Sequence, residues 1–143
     1  WADVPNVVGL KDCSNDLHQT MTIYRSTDPE TFKIYCGEDI MTFSLLCHGG
    51  SGAIAAVAHV VGREVKAMCE AVWAGRLAEA RDLHYRTMDV VDALFVEPNP
   101  TAVKQALEWL GLPAGPLRPP LERLTEPGQR VLRAAMEAGG WLR

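Results

Sequence analysis

One lysine stands where a buried strand is predicted to end. Val7–Leu10 is a short apolar run, and Lys11 follows it directly, ahead of the small polar residues Asp12-Cys13-Ser14. In an apolar pocket a charged ammonium is disfavoured, so its pKa falls and a neutral amine becomes available. Such an amine can attack a carbonyl carbon and form a Schiff base. The alternative is a lysine that ends a strand and reaches water, and strand position alone favours that alternative.

Two glycine-containing stretches could bring the backbone close to a small ligand. Gly37 follows the apolar run Phe32–Cys36, and a Gly-Gly-Ser-Gly sequence occupies positions 49–52. Glycine permits close backbone approach because it has no Cβ. The second stretch lacks the Lys-Ser/Thr pair that completes a P-loop, so nucleotide binding is not supported. The alternative, which local sequence favours, is a pair of tight turns between elements.

The histidines, cysteines and acids form no metal-binding pattern. The histidines show no H-E-x-x-H spacing and the cysteines no C-x-x-C pair: His18, His48, His59, His84, Cys13, Cys36, Cys47 and Cys69. Glu38 and Asp39 are adjacent, but neighbours in a loop point apart too easily to predict an acid/base pair. We therefore expect no metal, and thiols embedded in apolar runs indicate a reducing, cytoplasmic compartment.

Composition limits the classes of partner. The chain has 143 residues, 48% of them apolar and 22% charged, which is typical of a soluble globular protein. Its net charge is −4 and its Lys and Arg residues are not clustered, so neither nucleic acid nor an anionic membrane is an expected partner. No apolar run is long enough to span a bilayer. A small anionic substrate is compatible with this composition, because a pocket can be locally positive.

The elements that position Lys11 alternate between strand and helix. Strands are predicted at Val7–Leu10, Phe32–Cys36 and Gly52–Val60. Between them, the helix after Ser14–Asp16 and the helix Ile40–Leu46 are short connections of the βαβ kind. In parallel sheets of this kind, chemistry collects at the carboxyl ends of the strands. Lys11, Gly37 and the region from Ile54 are expected there.

From position 63 onward the sequence is predicted to be helical only. The predicted elements are four helices and one extended, proline-rich linker: Glu64–Trp73, Leu77–Phe95, Thr101–Leu110, Glu126–Ala138 and Pro113–Pro120. We therefore divide the chain into a partial barrel, 1–62, and a C-terminal helical domain, 63–143. Three parallel strands make an unusually small sheet. Because the chain starts with Trp1 rather than Met, we expect the C-terminal portion of a larger α/β protein, such as a (β/α)8 barrel.

Four motifs occur in register from about Pro5 to Leu142. They are Gly9-Leu10-Lys11-Asp12-Cys13-Ser14, Tyr35-Cys36-Gly37-Glu38-Asp39, Gly49-Gly50-Ser51-Gly52-Ala53-Ile54, and Phe95-Val96-Glu97-Pro98-Asn99-Pro100 followed by Val103-Lys104. In this order they resemble the G-[IL]-K-[DE]-x-[ST], G-x-D, G-G-x-G-[VA]-I and F-x-E-x-N-P-x-x-x-K runs of the dihydrodipicolinate synthase / N-acetylneuraminate lyase family.

The resemblance implies a fold and a mechanism. The fold would be the last three βα units of a TIM barrel followed by a C-terminal helical domain, assembled as a homotetramer. The mechanism would be that of a class I aldolase, with no cofactor, metal or nucleotide. Lys11 would form an imine with pyruvate or a related 2-oxo acid, the backbone of Ile54 would contact that acid, and Gly37 would lie beside the pocket. The Phe95–Pro100 run reads as structural, with Glu97 and Asn99 satisfying backbone groups at the start of the next helix.

Two departures from the family pattern leave alternatives open. The proton-relay tyrosine and the substrate-carboxylate loop of the family have no match, so the chain alone is expected to carry an incomplete site. Lys-Asp-x-Ser is commoner in the aldolase, lyase and hydratase branches than in the synthases. Our first expectation is a lyase that condenses pyruvate with aspartate semialdehyde in lysine biosynthesis. The alternatives are an aldolase or dehydratase acting on a 2-keto-3-deoxy sugar acid, and a truncated non-catalytic fragment.

Overall fold

Three parallel strands form the sheet. The computed structural model describes residues 2–142, and its strands, in sheet order, are β1 (Gly9–Asp12), β2 (Lys33–Cys36) and β3 (Gly52–Ala53). Lys11 lies opposite Tyr35, and Tyr35 lies opposite Gly52. The predicted parallel βαβ arrangement is therefore confirmed.

Two of the predicted strands have different limits in the structure. The first strand begins at Gly9 and includes Lys11, so the lysine belongs to the ladder and does not merely follow it. In the third run only Gly52–Ala53 is strand, and helix begins at Ala58, so the predicted strand Gly52–Val60 is wrong. A short alanine-rich apolar run does not distinguish a buried strand from a buried helix, because periodicity is lost when every residue is apolar.

Six α-helices connect and follow the strands in residues 2–142. They are α1 (Leu17–Ser26), α2 (Thr42–Cys47), α3 (Ala58–Trp73), α4 (Leu77–Leu94), α5 (Thr101–Trp109) and α6 (Glu126–Ala138). Asp16 begins α1 by accepting hydrogen bonds from the amides of His18 and Gln19 at 2.9 and 3.1 Å. This satisfies two of the amides that the first turn of a helix leaves free. Thr125 caps α6 in the same way, its hydroxyl oxygen accepting from the amide of Gly128 at 3.3 Å.

The last four helices share one apolar core. Its buried members include Val61 of α3, Leu94 of α4, Ala106 of α5 and Leu132 and Met136 of α6, none of which is more than marginally accessible. Truncating Leu132 or Met136 to alanine would cost about 2–5 kcal/mol of folding free energy. A second cluster joins α2 to α3 and α4 through Leu46, Met68, Cys69, Ala71 and Ala80. The helices thus hold the sheet from one side.

The predicted domain boundary falls inside a helix. α3 runs from Ala58 to Trp73 across position 62, and its only residue with non-helical dihedral angles is Val61, at φ −116° and ψ 35°. The division into 1–62 and 63–143 stays a prediction. Trp1 and Arg143, the outer ends of those two ranges, lie outside the described residues. The expectation of a larger protein, which was based on Trp1, therefore concerns a residue that the structure does not describe.

Polar side chains fasten the C-terminal segment in place. The prediction that Glu97 satisfies backbone groups at the start of α5 is wrong. Its Oε1 instead accepts hydrogen bonds from the amide and hydroxyl of Thr125 at 3.1 and 2.5 Å. The prediction considered only the next helix along the chain, whereas the partner lies 28 residues away. Lys104 Nζ donates to the carbonyl oxygens of Ala114 and Pro116, each at 2.8 Å, and so holds the proline-rich linker against α5.

Candidate active site

Lys11 and Tyr35 lie on the face of the sheet that the helices leave uncovered. Side chains alternate between the two faces of a strand. Asp12 and Cys36 are buried on the helix side, which places their predecessors Lys11 and Tyr35 on the opposite face. Lys11 is exposed in residues 2–142, so these residues do not themselves enclose it in the apolar pocket that the sequence predicts.

Gly37 lies directly against the Lys11 side chain. Its amide donates to the carbonyl oxygen of Asp12 at 2.7 Å, which extends the ladder between β1 and β2 by one bond. A Cβ atom added to Gly37 would collide with Lys11 Cε and with Cys13 Sγ, and would approach Lys11 Cγ to 2.6 Å. Only glycine leaves room for the lysine stem at this point. The structure therefore brings together Lys11 and Gly37, two of the three predicted site residues.

Ile54 lies at the same end of the sheet. Its amide donates to the carbonyl oxygen of Cys36 at 2.8 Å, just beyond β3. Its side chain is 50% exposed and contributes to an open cavity of about 470 Å³ together with Val8, Gly9, Leu10, Lys11, Glu30, Thr31, Lys33 and Tyr35. All three predicted residues thus meet at the carboxyl ends of neighbouring parallel strands, where α/β enzymes place their chemistry.

Asp12 anchors the end of β1 from the helix side. It is 7% exposed; Oδ1 accepts the Ser14 amide at 2.9 Å and Oδ2 accepts the Thr20 hydroxyl of α1. Burial alone would raise the pKa of Asp12, but hydrogen bonds from Thr20 and Ser14 outweigh burial and hold the pKa below its usual value. Asp12 is therefore a charged anchor that fixes the strand position next to Lys11.

Asp39 is the second buried carboxyl group at this end of the sheet. It is 6% exposed and begins the short 3-10 turn Asp39–Met41 after β2. Burial raises the pKa of Asp39 to about 6 and Glu38 adds to the rise, while the amides of Val57 and Ala56 and the ammonium of Lys11 act against it. Asp39 is therefore a buried carboxyl group just beyond β2, two residues after Gly37.

Sequence reasoning assigned no role to Tyr35 or Asp39. Tyr35 shares the pocket because it pairs with Lys11 across the sheet. The signal that could have found it is the alternation along β2, since the residue before a buried Cys36 must face the other way. The glycines at 49–52 match the alternative interpretation instead: Gly49 and Gly52 have φ of 103° and 149° and form the turn into β3.

The remaining polar residues show no second site of a familiar kind. His84 stacks on Phe43, with 5.6 Å between ring centroids, and His48 Nδ1 lies 2.7 Å from the Ser44 carbonyl oxygen. Within residues 2–142 no group of three or more His, Cys, Asp or Glu side chains is placed to hold a metal ion. In the same part of the chain no helix is both long and apolar enough to cross a membrane.

Known proteins match the chain over nearly its whole length. The profile of the Dihydrodipicolinate synthetase family matches residues 1–139. The 4-hydroxy-tetrahydrodipicolinate synthase of Moorella thermoacetica is 40% identical over 141 residues, which is 99% of this chain and 48% of that protein. The corresponding enzyme of Methanoculleus marisnigri is 41% identical over 132 residues, covering 92% of this chain and 45% of that protein.

Solved structures of synthases superpose closely on the chain. The Cyanidioschyzon merolae dihydrodipicolinate synthase with lysine bound gives a TM-score of 0.92 at 42% identity, over 96% of this chain and 46% of that one. The chloride-inhibited synthase of Acinetobacter baumannii complexed with pyruvate gives 0.91 at 28% identity, over 99% of this chain and 48% of that one.

These matches confirm the predicted fold, the last three βα units of a (β/α)8 barrel followed by C-terminal helices. The chain spans about half the length of the curated relatives it matches, and the matched part is their C-terminal half. A family profile that covers 139 of 143 residues leaves the family in no doubt. The chain belongs to the dihydrodipicolinate synthetase family.

Proposed function

We propose that Lys11 is the Schiff-base lysine of a pyruvate-dependent lyase, and that the protein carrying this chain condenses pyruvate with aspartate semialdehyde. One observation carries the proposal: in a chain of this family, the Lys11 stem lies against Gly37 where two parallel strands end. Several relatives bear the name 4-hydroxy-tetrahydrodipicolinate synthase, and one synthase structure contains pyruvate.

The amine of Lys11 supplies the chemistry. Its nitrogen adds to the keto carbon of pyruvate, and loss of water leaves a protonated imine. The imine draws electrons from the neighbouring methyl group, which gives up a proton to form an enamine. The enamine carbon then attacks the aldehyde carbon of the second substrate and forms the new carbon–carbon bond. Addition of water, or of the amino group of the condensed substrate, to the imine carbon breaks its bond to Lys11 and returns the lysine as a free amine, so the sequence requires no redox partner.

Gly37 and Ile54 shape the space around that amine. Gly37 leaves room for the lysine stem, because the Cβ of any larger residue would collide with Lys11 Cε. The amide of Ile54 is already bonded to Cys36, so its carbonyl oxygen is the backbone group left to contact the 2-oxo acid or its imine. Holding these groups on paired strands keeps the amine in an attack geometry.

The position of Asp12 weakens the case for a sugar-acid aldolase. The Lys-Asp-x-Ser sequence suggested that branch, yet Asp12 points away from the Lys11 face and binds Thr20 and Ser14 on the helix side. The Asp12 carboxylate therefore anchors a strand and does not recognise a substrate. Assays with aspartate semialdehyde and with 2-keto-3-deoxy sugar acids, run on the same preparation, separate the two activities.

Substitution of Lys11 tests the proposal. In the protein that carries this chain in full, we expect Lys11→Ala to lower kcat/KM by at least about a thousandfold, because the covalent route is lost. Lys66→Ala is the matched control, since Lys66 is an exposed lysine of α3 whose ion-pair partner among residues 2–142 is Glu70. Turnover by Lys11→Ala equal to that of the control would rule out the mechanism. The homotetramer expected from the resemblance and the cytoplasmic location expected from the thiols stay predictions, and sizing of the protein tests the first.

A further inference from the structure

Tyr35 lies at the same level of the sheet as Lys11 and on the same face. The two residues are partners in the parallel pairing of β1 with β2. Paired residues on neighbouring strands point to the same side, and the strands are about 4.8 Å apart. Tyr35 is partly buried and lines the cavity of about 470 Å³ that also borders Lys11 and Ile54. The phenol ring is therefore a close neighbour of the proposed Schiff-base lysine.

The ring and the lysine side chain extend in different directions from this level. Tyr35 is also paired with Gly52 of β3, and a Cβ atom added to Gly52 would approach the ring atoms Cδ1 and Cε1 to 3.3 Å. The ring thus lies over β3, in space that a glycine leaves open. The Lys11 stem instead runs beside Gly37, two residues nearer the carboxyl end of β2. The amine therefore points toward the carboxyl edge of the sheet, while the ring lies on its amino-terminal side.

The ring also borders a second cavity. This cavity, of about 740 Å³, lies at the amino ends of β2 and β3, and Tyr35, Lys33 and Glu30 line both it and the lysine pocket. Lys33 Nζ donates to the Pro29 carbonyl oxygen at 2.6 Å, and Glu30 precedes β2 in the loop. Of the three shared residues, only Tyr35 is paired with Lys11. Its ring therefore separates the lysine pocket from the larger space.

We propose that Tyr35 is a specificity-determining residue, whose ring forms the floor of the pocket around Lys11 and limits the 2-oxo acid to the length of pyruvate. This inference rests on the proposed function, because it assumes that Lys11 forms an imine with a 2-oxo acid. An acid longer than pyruvate by one or two methylene groups would need the space that the ring fills. A pocket that excludes one methylene group discriminates by about 10- to 200-fold.

Trapping of the Lys11 imine with acids of different length measures this limit. The protein in full is mixed with increasing pyruvate, 2-oxobutyrate or 2-oxopentanoate and reduced with borohydride. The labelled fraction of Lys11 then gives a half-saturating concentration for each acid. In the wild type we expect 2-oxobutyrate to need a concentration at least about tenfold above that of pyruvate, and 2-oxopentanoate a higher one still. In Tyr35→Ala the ratio of 2-oxobutyrate to pyruvate should fall at least about fivefold, because the chain can extend into the second cavity.

Three further variants separate the ring from the hydroxyl group and from a general loss of structure. Tyr35→Phe keeps the ring and should keep the wild-type ratio. Tyr35→Leu removes less volume, should give an intermediate ratio, and takes the place of Tyr35→Ala if that variant does not fold. Tyr85→Ala is the matched control, since Tyr85 is a tyrosine of α4 that is 62% exposed, and it should behave as wild type.

The outcomes distinguish the size limit from the proposed function. An unchanged ratio in the folded alanine or leucine variant would overturn the role of the ring, while the imine on Lys11 would still support the proposed function. A ratio in Tyr35→Phe as low as that in Tyr35→Ala would also overturn it, because the hydroxyl group would then set the limit. Absence of any Lys11 adduct with pyruvate in the wild type would instead defeat the proposed function.

Discussion

Lys11 and Gly37 come from different strands, yet their atoms share one small volume at the end of the sheet. A Cβ at residue 37 would collide with both Lys11 Cε and Cys13 Sγ. The glycine is therefore tied to the lysine by sterics and not by a turn, since its φ lies outside the left-handed region that favours glycine. The close contact between Gly37 and the Lys11 side chain therefore directs the amine toward the uncovered face of the sheet.

Gly37→Ala should separate activity from stability. The atoms that an added methyl group would meet are the flexible side chains of Lys11 and Cys13, which can rotate away. We expect unfolding free energy to change by no more than about 1 kcal/mol, and kcat/KM to fall about 10- to 100-fold, because the amine is displaced. Steady-state kinetics and urea unfolding measure the two effects.

Gly62→Ala is the matched control for that substitution. Gly62 lies within α3, and the nearest atom to an added Cβ is that of Ala58 at 3.9 Å, an ordinary contact. The control should keep full activity and gain up to about 1 kcal/mol of stability, since alanine favours the helix. Unchanged kinetics in Gly37→Ala as well would mean that the position of the lysine stem does not matter.

The anchor under β1 should make stability depend on pH. Hydrogen bonds hold the pKa of Asp12 below its usual value of 3.8, so the folded state favours the charged form. The stability that Asp12 contributes is therefore present above about pH 4 and is lost as pH falls through the lowered pKa. We expect Asp12→Asn to cost about 1.5–3 kcal/mol at pH 7, and the gap from wild type to narrow on acidification.

Urea unfolding at pH 7, 5 and 3.5 measures that gap, with Asp89→Asn as control because Asp89 is exposed on α4. The control should follow wild type at every pH. A gap between Asp12→Asn and wild type that stays constant down to pH 3.5 would show that the Asp12 charge does not stabilise the fold.

Glu97 and Thr125 should be energetically coupled. Thr125 both caps α6 and donates to Glu97, so Thr125→Ala should cost about 1–2 kcal/mol of stability. Glu97→Ala removes the side-chain contact together with the bond from the Thr125 amide, and the double variant should cost about 1 kcal/mol less than the two single changes added together. Chemical denaturation of wild type, the two single variants and the double variant gives the four free energies of unfolding from which the coupling is calculated. Strict additivity would mean that the two side chains do not cooperate in holding α6.

Some of the fold follows from local sequence and some does not. Asp16 and Thr125 are capping residues with helical periodicity after them, and both helices begin where predicted. The run from Gly52 contains only one polar residue, His59, so little in it marks where strand gives way to helix, and its α3 portion was missed. The partner of Glu97 was missed because no local rule connects positions 28 residues apart.

The residues of the candidate site likewise divide into those that the local sequence predicts and those that it does not. Lys11, Gly37 and Ile54 were identified because each sits in a short motif at the end of a strand, and the structure places them together. Tyr35 enters the pocket through strand pairing with Lys11. Asp39 was missed because its burial is a tertiary property that leaves no mark in the local sequence.

The most direct test is to reduce the protein that carries this chain with borohydride in the presence of pyruvate, and to locate the adduct by peptide mass spectrometry. We expect a single reduced adduct on Lys11, with Lys33 and Lys66 unlabelled, and no adduct without pyruvate. A protein that turns over substrate while Lys11 remains unmodified, or an adduct on another lysine, would contradict the assignment of Lys11 as the Schiff-base residue.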